Sequence, residues 1–395
     1  MSDLYELRLF DQKLVSFRLG ERSHCDESSQ LLRVDGPASL LPLDLDLSDE
    51  GIYRWLKRRT IPKNRAYVHN ILNSMGLSWR NTKGIIDVYM GLSLNDSYWV
   101  VPEGFEGRFS EYNLFQNRFS EALAMTALTG IEMSEGMIGR INSSPEFTTN
   151  GMLPKAWRYT GGKVVLFKGG MWRAYAPDPD PLEPFSEYYA AQIADVMGLS
   201  PVKYGLSRWK GVFGCTCALF TDKETSYVSM MSLVRKELTD KSPLEYYTLC
   251  GEWFRRYDQE NDTKLYDYFA SILVFDALIC NEDRHLGNFG ILRDNRSGKI
   301  IRNAPIFDNG MSLFNFSSMQ ELRDIDRHVG AYANHFKQSF EQQVIEFGGK
   351  QQIEQLSRLS EFRFKRHSHY NWNPERMAII QEFIRRRADA LIKIL

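Results

Sequence analysis

The sequence predicts an α+β protein, and three observations carry that prediction. Near the start, Leu7 and Leu9, then Val15, Phe17 and Leu19, alternate at the period-two spacing of strands. A second β-rich stretch, Ala156-Trp157-Arg158-Tyr159-Thr160 and Lys163-Val164-Val165-Leu166-Phe167-Lys168, is interrupted only by Gly161-Gly162. Beyond about residue 230 the apolar spacing becomes mostly helical, most clearly at Leu265, Phe269, Ile272 and Leu273.

Composition narrows the class further. At roughly 100 to 200 residues per domain, 395 residues predict two or three domains. Hydrophobic residues at 43% and aromatics at 13% are enough for a sizeable core and exclude a disordered chain. The 49 Lys+Arg nearly cancel the 50 Asp+Glu, which excludes strong bulk binding of nucleic acid. Five cysteines (Cys25, Cys215, Cys217, Cys250, Cys280) contain no C-x-x-C pair, so neither a zinc ribbon nor a disulfide framework is expected. The start, Met1-Ser2-Asp3-Leu4-Tyr5-Glu6, places acids where a signal peptide needs cations. The most apolar window, Ala270 to Cys280, is about half a membrane span and is broken by Asp276. A cytoplasmic protein without a membrane segment is expected.

In chain order, a hairpin opens the sequence. Ser48 is placed to cap a helix carrying Ile52, Trp55 and Leu56 that stops before Pro62, and Val68, Ile71, Leu72 and Met75 outline another ending at Gly76. Arg58, Arg59, Lys63 and Arg65 bracket the turn between them and read as a solvated helix end rather than a docking patch. A loop over 148–154 precedes the hairpin turned by Gly161-Gly162. Pro177, Pro179, Pro181 and Pro184 outline an extended linker. Ser186 is expected to cap a helix running to about Met197, with Gly198 past its end, and Val212 to Phe220 reads as strand. Near the C-terminus, Asn373-Pro374-Glu375 starts a helix on which Arg385-Arg386-Arg387 reads as an exposed run.

The strongest signal is Asn281-Glu282-Asp283-Arg284-His285-Leu286-Gly287-Asn288, followed by Pro305-Ile306-Phe307-Asp308-Asn309-Gly310. An apolar helix delivers a loop with one carboxylate and, five residues on, one carboxamide. A strand pair (Phe289 to Leu292, Ile300 to Ile306), joined by a turn at 294–298, then brings a second carboxylate just before a glycine. Phosphoryl transfer needs this set: a carboxylate beside the attacking hydroxyl, and two oxygen ligands for magnesium. The D-x-x-x-x-N spacing from Asp283 to Asn288 is that of the protein-kinase catalytic loop, and Asp308-x-Gly310 falls where D-F-G would.

The other half lies upstream. Lys168 ends a strand where a kinase places its phosphate lysine, and Glu187, in the next helix, either pairs with it or is an ordinary first-turn acid. The loop with Thr148, Thr149 and Gly151 is expected over the phosphates, although it lacks G-x-G-x-x-G, and Lys155 is a competing phosphate lysine. Strand order places the adenine-binding hinge at Leu219-Phe220-Thr221. His285 reads as a loop brace at the nucleotide site rather than as a base, and Arg284 as either a brace or a phosphate contact. His367 and His369 have no third ligand candidate nearby for a metal.

The run from Asp276 to Asn288, with Phe307-Asp308-Asn309-Gly310, resembles the HipA-type serine/threonine kinases of bacteria over roughly 145–395. The D-R-H-x-x-N core is also similar to that of the phosphatidylinositol 3/4-kinases. The resemblance implies a two-lobed protein-kinase-like fold with a β-rich N-lobe (141–225), a helical C-lobe (226–395) and an extra N-terminal α/β subdomain (1–140). It implies Asp283 as catalytic base, Asn288 and Asp308 as magnesium ligands, and Lys168 on the phosphates of ATP with Glu187 as its partner. A protein Ser/Thr acceptor and a DNA-binding antitoxin partner are implied with it. Regulation by phosphorylation of a loop serine has no clear counterpart among Ser143, Ser144, Thr148 and Thr149. A lipid or small-molecule kinase, or a catalytically silent nucleotide-binding module, would share much of the same motif.

Overall fold

The computed structural model describes residues 3–23, 26–133, 144–171 and 181–395. Cys25, Ser143, Pro177 and Pro179 lie outside the described residues. Helices and antiparallel strand pairs alternate along the chain, as an α+β protein requires. The chain divides into two compact units. The first takes in Met1–Gly169, Ala218–Val228 and Leu292–Ile301; the second takes in Gly170–Cys217, Ser229–Ile291 and Arg302–Leu395.

The first unit opens with strands β1 (Leu4–Leu9) and β2 (Gln12–Ser23), which form the expected hairpin. With β3 (Asp26–Val34) and β4 (Tyr98–Pro102) they make an antiparallel sheet of order β3-β2-β1-β4. The alternating residues Leu7, Leu9, Val15, Phe17 and Leu19 are all buried and pack with Ile52, Trp55 and Leu56 of helix Asp49–Arg58. Ser48 caps that helix, its Oγ accepting from Gly51 N at 3.0 Å. Further on, β5 (Lys155–Thr160) and β6 (Lys163–Gly169) pair antiparallel across Gly161 and Gly162, with φ of 59° and 76°. Two successive positive φ values define the two-residue turn that matches strand twist, and glycine adopts them without steric cost. Short strands at Thr225–Ser229, Gly290–Asp294 and Ile300–Asn303 complete the sheets, and Asp294 Oδ1 accepts from Arg296 N and Ser297 N in the turn between the last two.

Three of the arginine-rich positions expected to be solvated turn inward. Arg59 grips Asp96 with both guanidinium branches (2.7 and 2.9 Å) and donates to the Gly91 and Tyr98 carbonyls. Arg65 has no exposed side-chain surface and pairs with Glu146, while its Nη2 also reaches the Lys155 carbonyl at 3.1 Å. Arg58 meets Asp44 at 3.0 Å, and Lys63 lies 3.6 Å from the Trp79 ring centre. Charge density along the sequence could not reveal this, because Asp96 and Glu146 are tens of residues away.

In the second unit, helix Leu265–Ile279 is the centre: Phe269, Leu273, Val274, Phe275, Ala277 and Leu278 are fully buried. Helices Tyr246–Asn261, Phe340–Phe347, Lys350–Ser357 and Pro374–Ile394 also belong to this unit, with a β7 (Tyr204–Trp209) to β8 (Val212–Ala218) hairpin. Three expectations need correction here. Helix Glu183–Met197 begins three residues before Ser186, because Pro184 sits in its first turn, where its fixed φ suits a helix and no N–H is needed. Ser186 instead donates from Oγ to the Ser312 carbonyl at 3.0 Å. The strand at Ile300 ends at Asn303, and Ile306 forms an isolated parallel bridge with Pro201. Finally, Arg386 is exposed as expected, beside Asp326 (2.6 Å), but Arg385 is half-buried on Phe362 O (2.8 Å) and Arg387 is buried on Ala277 O (2.8 Å). Among the described residues no helix is long and apolar enough to cross a membrane.

Arg65→Met is expected to lower stability by about 3–5 kcal/mol, since it leaves the Glu146 carboxylate buried without its cation. Burial already holds the Glu146 carboxyl above its ordinary pKa, with Arg65 opposing. Without Arg65 the folded-state pKa rises further, so stability is lost as pH climbs from the unfolded carboxyl value through the folded one. Urea denaturation should therefore show a deficit against wild type that is smallest near about pH 4 and widens toward neutrality.

Candidate active site

The loop after helix Leu265–Ile279 is built on a single buried ion pair. Cys280 ends the helix in the left-handed region (φ 51°), and Asn281 N returns to the Asp276 carbonyl at 2.9 Å. The Asp276 carboxylate, 1% exposed, accepts from Arg284 Nε (2.8 Å), Arg284 Nη2 (2.9 Å) and Asn281 Nδ2 (2.8 Å). A planar guanidinium on a carboxylate is the bidentate geometry that lysine cannot reproduce. Burial works against the Arg284 charge, but Asp276 more than offsets it, and its pKa lies above the usual arginine value.

The rest of the Arg284 fork holds two other stretches of chain. Nη1 donates to the Asn288 carbonyl at 3.0 Å and to the Phe307 carbonyl at 2.5 Å, and Nη2 donates to Asn309 Oδ1 at 2.5 Å. Asn288 and Asp308, the expected metal ligands, are thus fixed through their own and neighbouring backbone by one side chain. Of the two roles the sequence left to Arg284, bracing is the one the contacts support.

Within the loop, Asp283 N donates to Asn281 Oδ1 (3.2 Å), and Asn288 Nδ2 donates to the Asp283 carbonyl (3.0 Å). That second bond turns the Asn288 amide so that Oδ1, the atom a hard cation uses, is its other end. His285 Nδ1 accepts from Gly287 N at 3.0 Å, which puts the imidazole proton on Nε2. Burial holds the His285 pKa below its ordinary value, with Asp283 and Asp308 opposing. Tyr247 OH donates to the Arg284 carbonyl at 2.6 Å, and His335 Nδ1 stands 3.2 Å from Asp283 Oδ1.

Glu187, fully buried, reaches the second loop: its Oε2 accepts from Asn309 N at 2.7 Å. Asp308 itself has φ 57°, with its N–H directed to Tyr204 OH at 3.3 Å. Burial lifts the Tyr204 hydroxyl well above its ordinary pKa, with Glu187 the next contributor. An Asn and an Asp make an oxygen donor set of the kind that fits a hard divalent cation such as magnesium.

The remaining expected site residues lie in the first unit. Lys168 stands directly opposite Lys155 in the β5–β6 register, and both are nearly buried. Lys155 Nζ donates to the Asn150 carbonyl at 2.9 Å. Thr148 Oγ1 donates to the Leu92 carbonyl (3.0 Å) and Thr149 Oγ1 to the Pro145 carbonyl (2.6 Å), so both hydroxyls are committed within the protein. Gly151 carries φ 93°. At the expected hinge, Leu219 N donates to the Val164 carbonyl at 3.0 Å, Thr221 Oγ1 donates to the Leu94 carbonyl at 2.5 Å, and the Phe220 ring meets Tyr227 edge-on at 5.7 Å. His367 Nδ1 accepts from His369 N and Tyr370 N, both at 3.2 Å, and serves its own turn.

Sequence reasoning missed the parts played by Asp276, Asn309, Tyr247 and His335. Two of these left a signal: Asp276 is the one acid in the apolar run from Ala270 to Cys280, and Asn309 is polar where the kinase D-F-G has phenylalanine. Tyr247 and His335 left none.

Comparison with known proteins gives a consistent result. The serine/threonine-protein kinase CtkA of Helicobacter pylori is 32% identical over 134 residues, 33% of this chain and 40% of that relative, so the chain spans less than half of its length. The HipA of the Shewanella oneidensis toxin–antitoxin system, solved with HipB and operator DNA, superposes with a TM-score of 0.58 at 12% identity, over 98% of this chain and 97% of that one. The crystal structure of the proinflammatory kinase CtkA gives a TM-score of 0.48 at 18% identity, over 62% of this chain and 91% of that one. The family described as HipA-like C-terminal domain matches residues 148–372, more than half of the sequence, and the chain belongs to that family.

Proposed function

We propose that the protein is an ATP- and Mg²⁺-dependent kinase that transfers the γ-phosphoryl group to a Ser or Thr hydroxyl of a protein. The observation that carries this reading is the Arg284 junction, which fixes the Asp283–Asn288 loop and the Phe307–Asn309 segment as one unit. Asp283, with a side chain one-third exposed, is the base that orients the acceptor hydroxyl and takes its proton. Asn288 and Asp308 would hold magnesium, which supplies neutralisation of phosphate charge when bound. Lys168 serves the phosphates, and Glu187 acts as its counter-charge while also holding Asn309 N. The 148–154 loop contributes backbone amides, His285 braces the loop below the nucleotide, and Phe220 lies at the adenine hinge.

In this reading residues 141–225 are the N-lobe and 226–395 the C-lobe of a two-lobed kinase, with 1–140 an additional subdomain, in a cytoplasmic setting. The relative over the 134 matched residues is named a serine/threonine kinase, which favours a protein acceptor. The Shewanella neighbour is a toxin–antitoxin complex with DNA, and we extend the proposal to a DNA-binding antitoxin as partner.

The first test is intact mass after incubation with ATP and Mg²⁺, alongside transfer of labelled γ-phosphate to a Ser/Thr peptide library. Wild type should transfer phosphate, and Asp283→Asn should lose about 100- to 10,000-fold in rate, the range for a general base. Asp308→Ala should be inactive. No transfer by wild type, together with no thermal stabilisation by ATP, would sink the assignment.

Arg284→Lys should disable the enzyme despite keeping the charge, because one ammonium cannot serve Asp276, Asn309 and two carbonyls at once. A loss of about 3 kcal/mol in stability, with faster amide hydrogen exchange at 281–288 and 307–310, is the expected outcome. Unchanged exchange in both segments would contradict the bracing role.

A further inference from the structure

His335 comes from a turn far along the chain from the catalytic loop, yet its Nδ1 stands 3.2 Å from Asp283 Oδ1. The turn that presents it is anchored on both sides. Asn334, 1% exposed, accepts at Oδ1 from Phe336 N and Gln338 N, both at 3.0 Å. Its Nδ2 donates to Gln343 Oε1 (2.6 Å), and Gln343 Nε2 donates to the Leu273 carbonyl (2.6 Å), inside the helix that delivers Asp283. On the other side Phe336 packs edge-on against Tyr247 at 4.9 Å, and Tyr247 OH is bonded to the Arg284 carbonyl at 2.6 Å. The residue before His335 is therefore tied to the helix, and the residue after it to the loop. His335 itself is 37% exposed, and its ring centre lies 5.5 Å from that of His285.

Such anchoring of both neighbours fixes a half-exposed imidazole against one oxygen of a carboxylate. We infer that His335 is a positioning residue for Asp283, holding Oδ1 so that Oδ2 faces the acceptor hydroxyl. The inference rests on the reading of Asp283 as the base. In the transfer step the hydroxyl proton passes to Asp283 Oδ2 as its oxygen bonds to the γ-phosphorus. The bond from that phosphorus to the β–γ bridging oxygen breaks, and ADP leaves. His335 neither gains nor loses a proton in this step. It restricts the carboxylate to the rotamer that meets the acceptor, the kind of alignment on which proximity effects depend.

The test uses the full chain, with ATP, Mg²⁺ and the Ser/Thr peptide library. His335→Ala should lower kcat about tenfold, the scale of one polar contact to a carboxylate, with KM for ATP within about twofold and the thermal midpoint unchanged. His335→Gln, which can present an N–H to Oδ1, should recover most of the lost kcat. An active wild type with His335→Ala at the same kcat would overturn the inference, as would equal loss in Ala and Gln variants. Long-range ¹H–¹⁵N spectra of the imidazoles test the contact apart from activity: the His335 nitrogens should shift in Asp283→Asn, and unmoved signals would overturn it. A wild type that transfers nothing while those signals do shift would instead sink the kinase reading, and the positioning role with it, while leaving the His335–Asp283 contact in place.

Discussion

A guanidinium cannot shed its charge inside a protein, so a buried arginine calls for acceptors around its five N–H groups, and Arg284 finds all five. Nε and Nη2 share the two oxygens of Asp276; the remaining hydrogens go to Asn309 Oδ1 and the carbonyls of Asn288 and Phe307. These partners come from the end of a buried helix, from the loop after it, and from a segment some twenty residues on. The loop and the later segment lie outside helices and strands where the fork meets them. The geometry of the candidate active site is therefore the geometry of one planar fork, held in register by a carboxylate on the most deeply buried helix of its unit. Apolar packing can replace a buried ion pair at little cost in many folds, but here it would release two loops that this fork holds together.

The first unit uses the same device where irregular chain passes through its interior. Arg65 holds the Glu146 carboxylate and the Glu146 and Lys155 carbonyls, next to the loop read as phosphate-binding. Arg59 spans Asp96 and two carbonyls. Arg293 reaches Gly298 O, Leu41 O and Tyr98 OH. Buried carbonyls outside helices and sheets need donors, and a fixed fork satisfies several at once with less loss of side-chain freedom than several separate groups. The segments around 59–66 and 89–97 also supply Ala66 N to Met152 O at 3.1 Å, the Leu92 carbonyl to Thr148, and Tyr89 stacked on Phe147 at 4.8 Å. Much of what shapes the 145–154 loop thus comes from the N-terminal 140 residues.

What can be read from the sequence follows from how far apart the interacting residues lie. The Gly161-Gly162 turn, the Ser48 cap and the helix before Asp283 depend on contacts within a few positions, and their signatures survive in a short window. The D-x-x-x-x-N loop is legible for the same reason, since Asn288 Nδ2 bonds to the Asp283 carbonyl within the motif. Charge runs mislead because their partners are distant: Arg65 meets Glu146 from 81 positions away, and Arg387 meets Ala277 from 110 away. Ser186 misleads because a serine ahead of an apolar helix is a good cap, whereas Pro184 has already started the helix. His335 carries no local sign of its place beside Asp283.

The backbone at Asp308 shows why the second loop needs so many supports. Its φ of 57° is a left-handed conformation that a non-glycine residue adopts at a cost of about 1 kcal/mol or more, and aspartate is among the residues that tolerate it. Such a residue stays put only if its neighbours over-determine it. Asn309 does this from three sides, with N on Glu187, Oδ1 on Arg284 and its carbonyl on Ser312 Oγ at 2.7 Å. Gly310 follows with an ideal Cβ position 3.4 Å from Glu183 Cβ, so the chain runs close along the start of helix Glu183–Met197. The direction of the Asp308 carboxylate is consequently set by backbone clamped on either side of it. A carboxylate aimed in that way by its backbone arrives at a ligand already oriented.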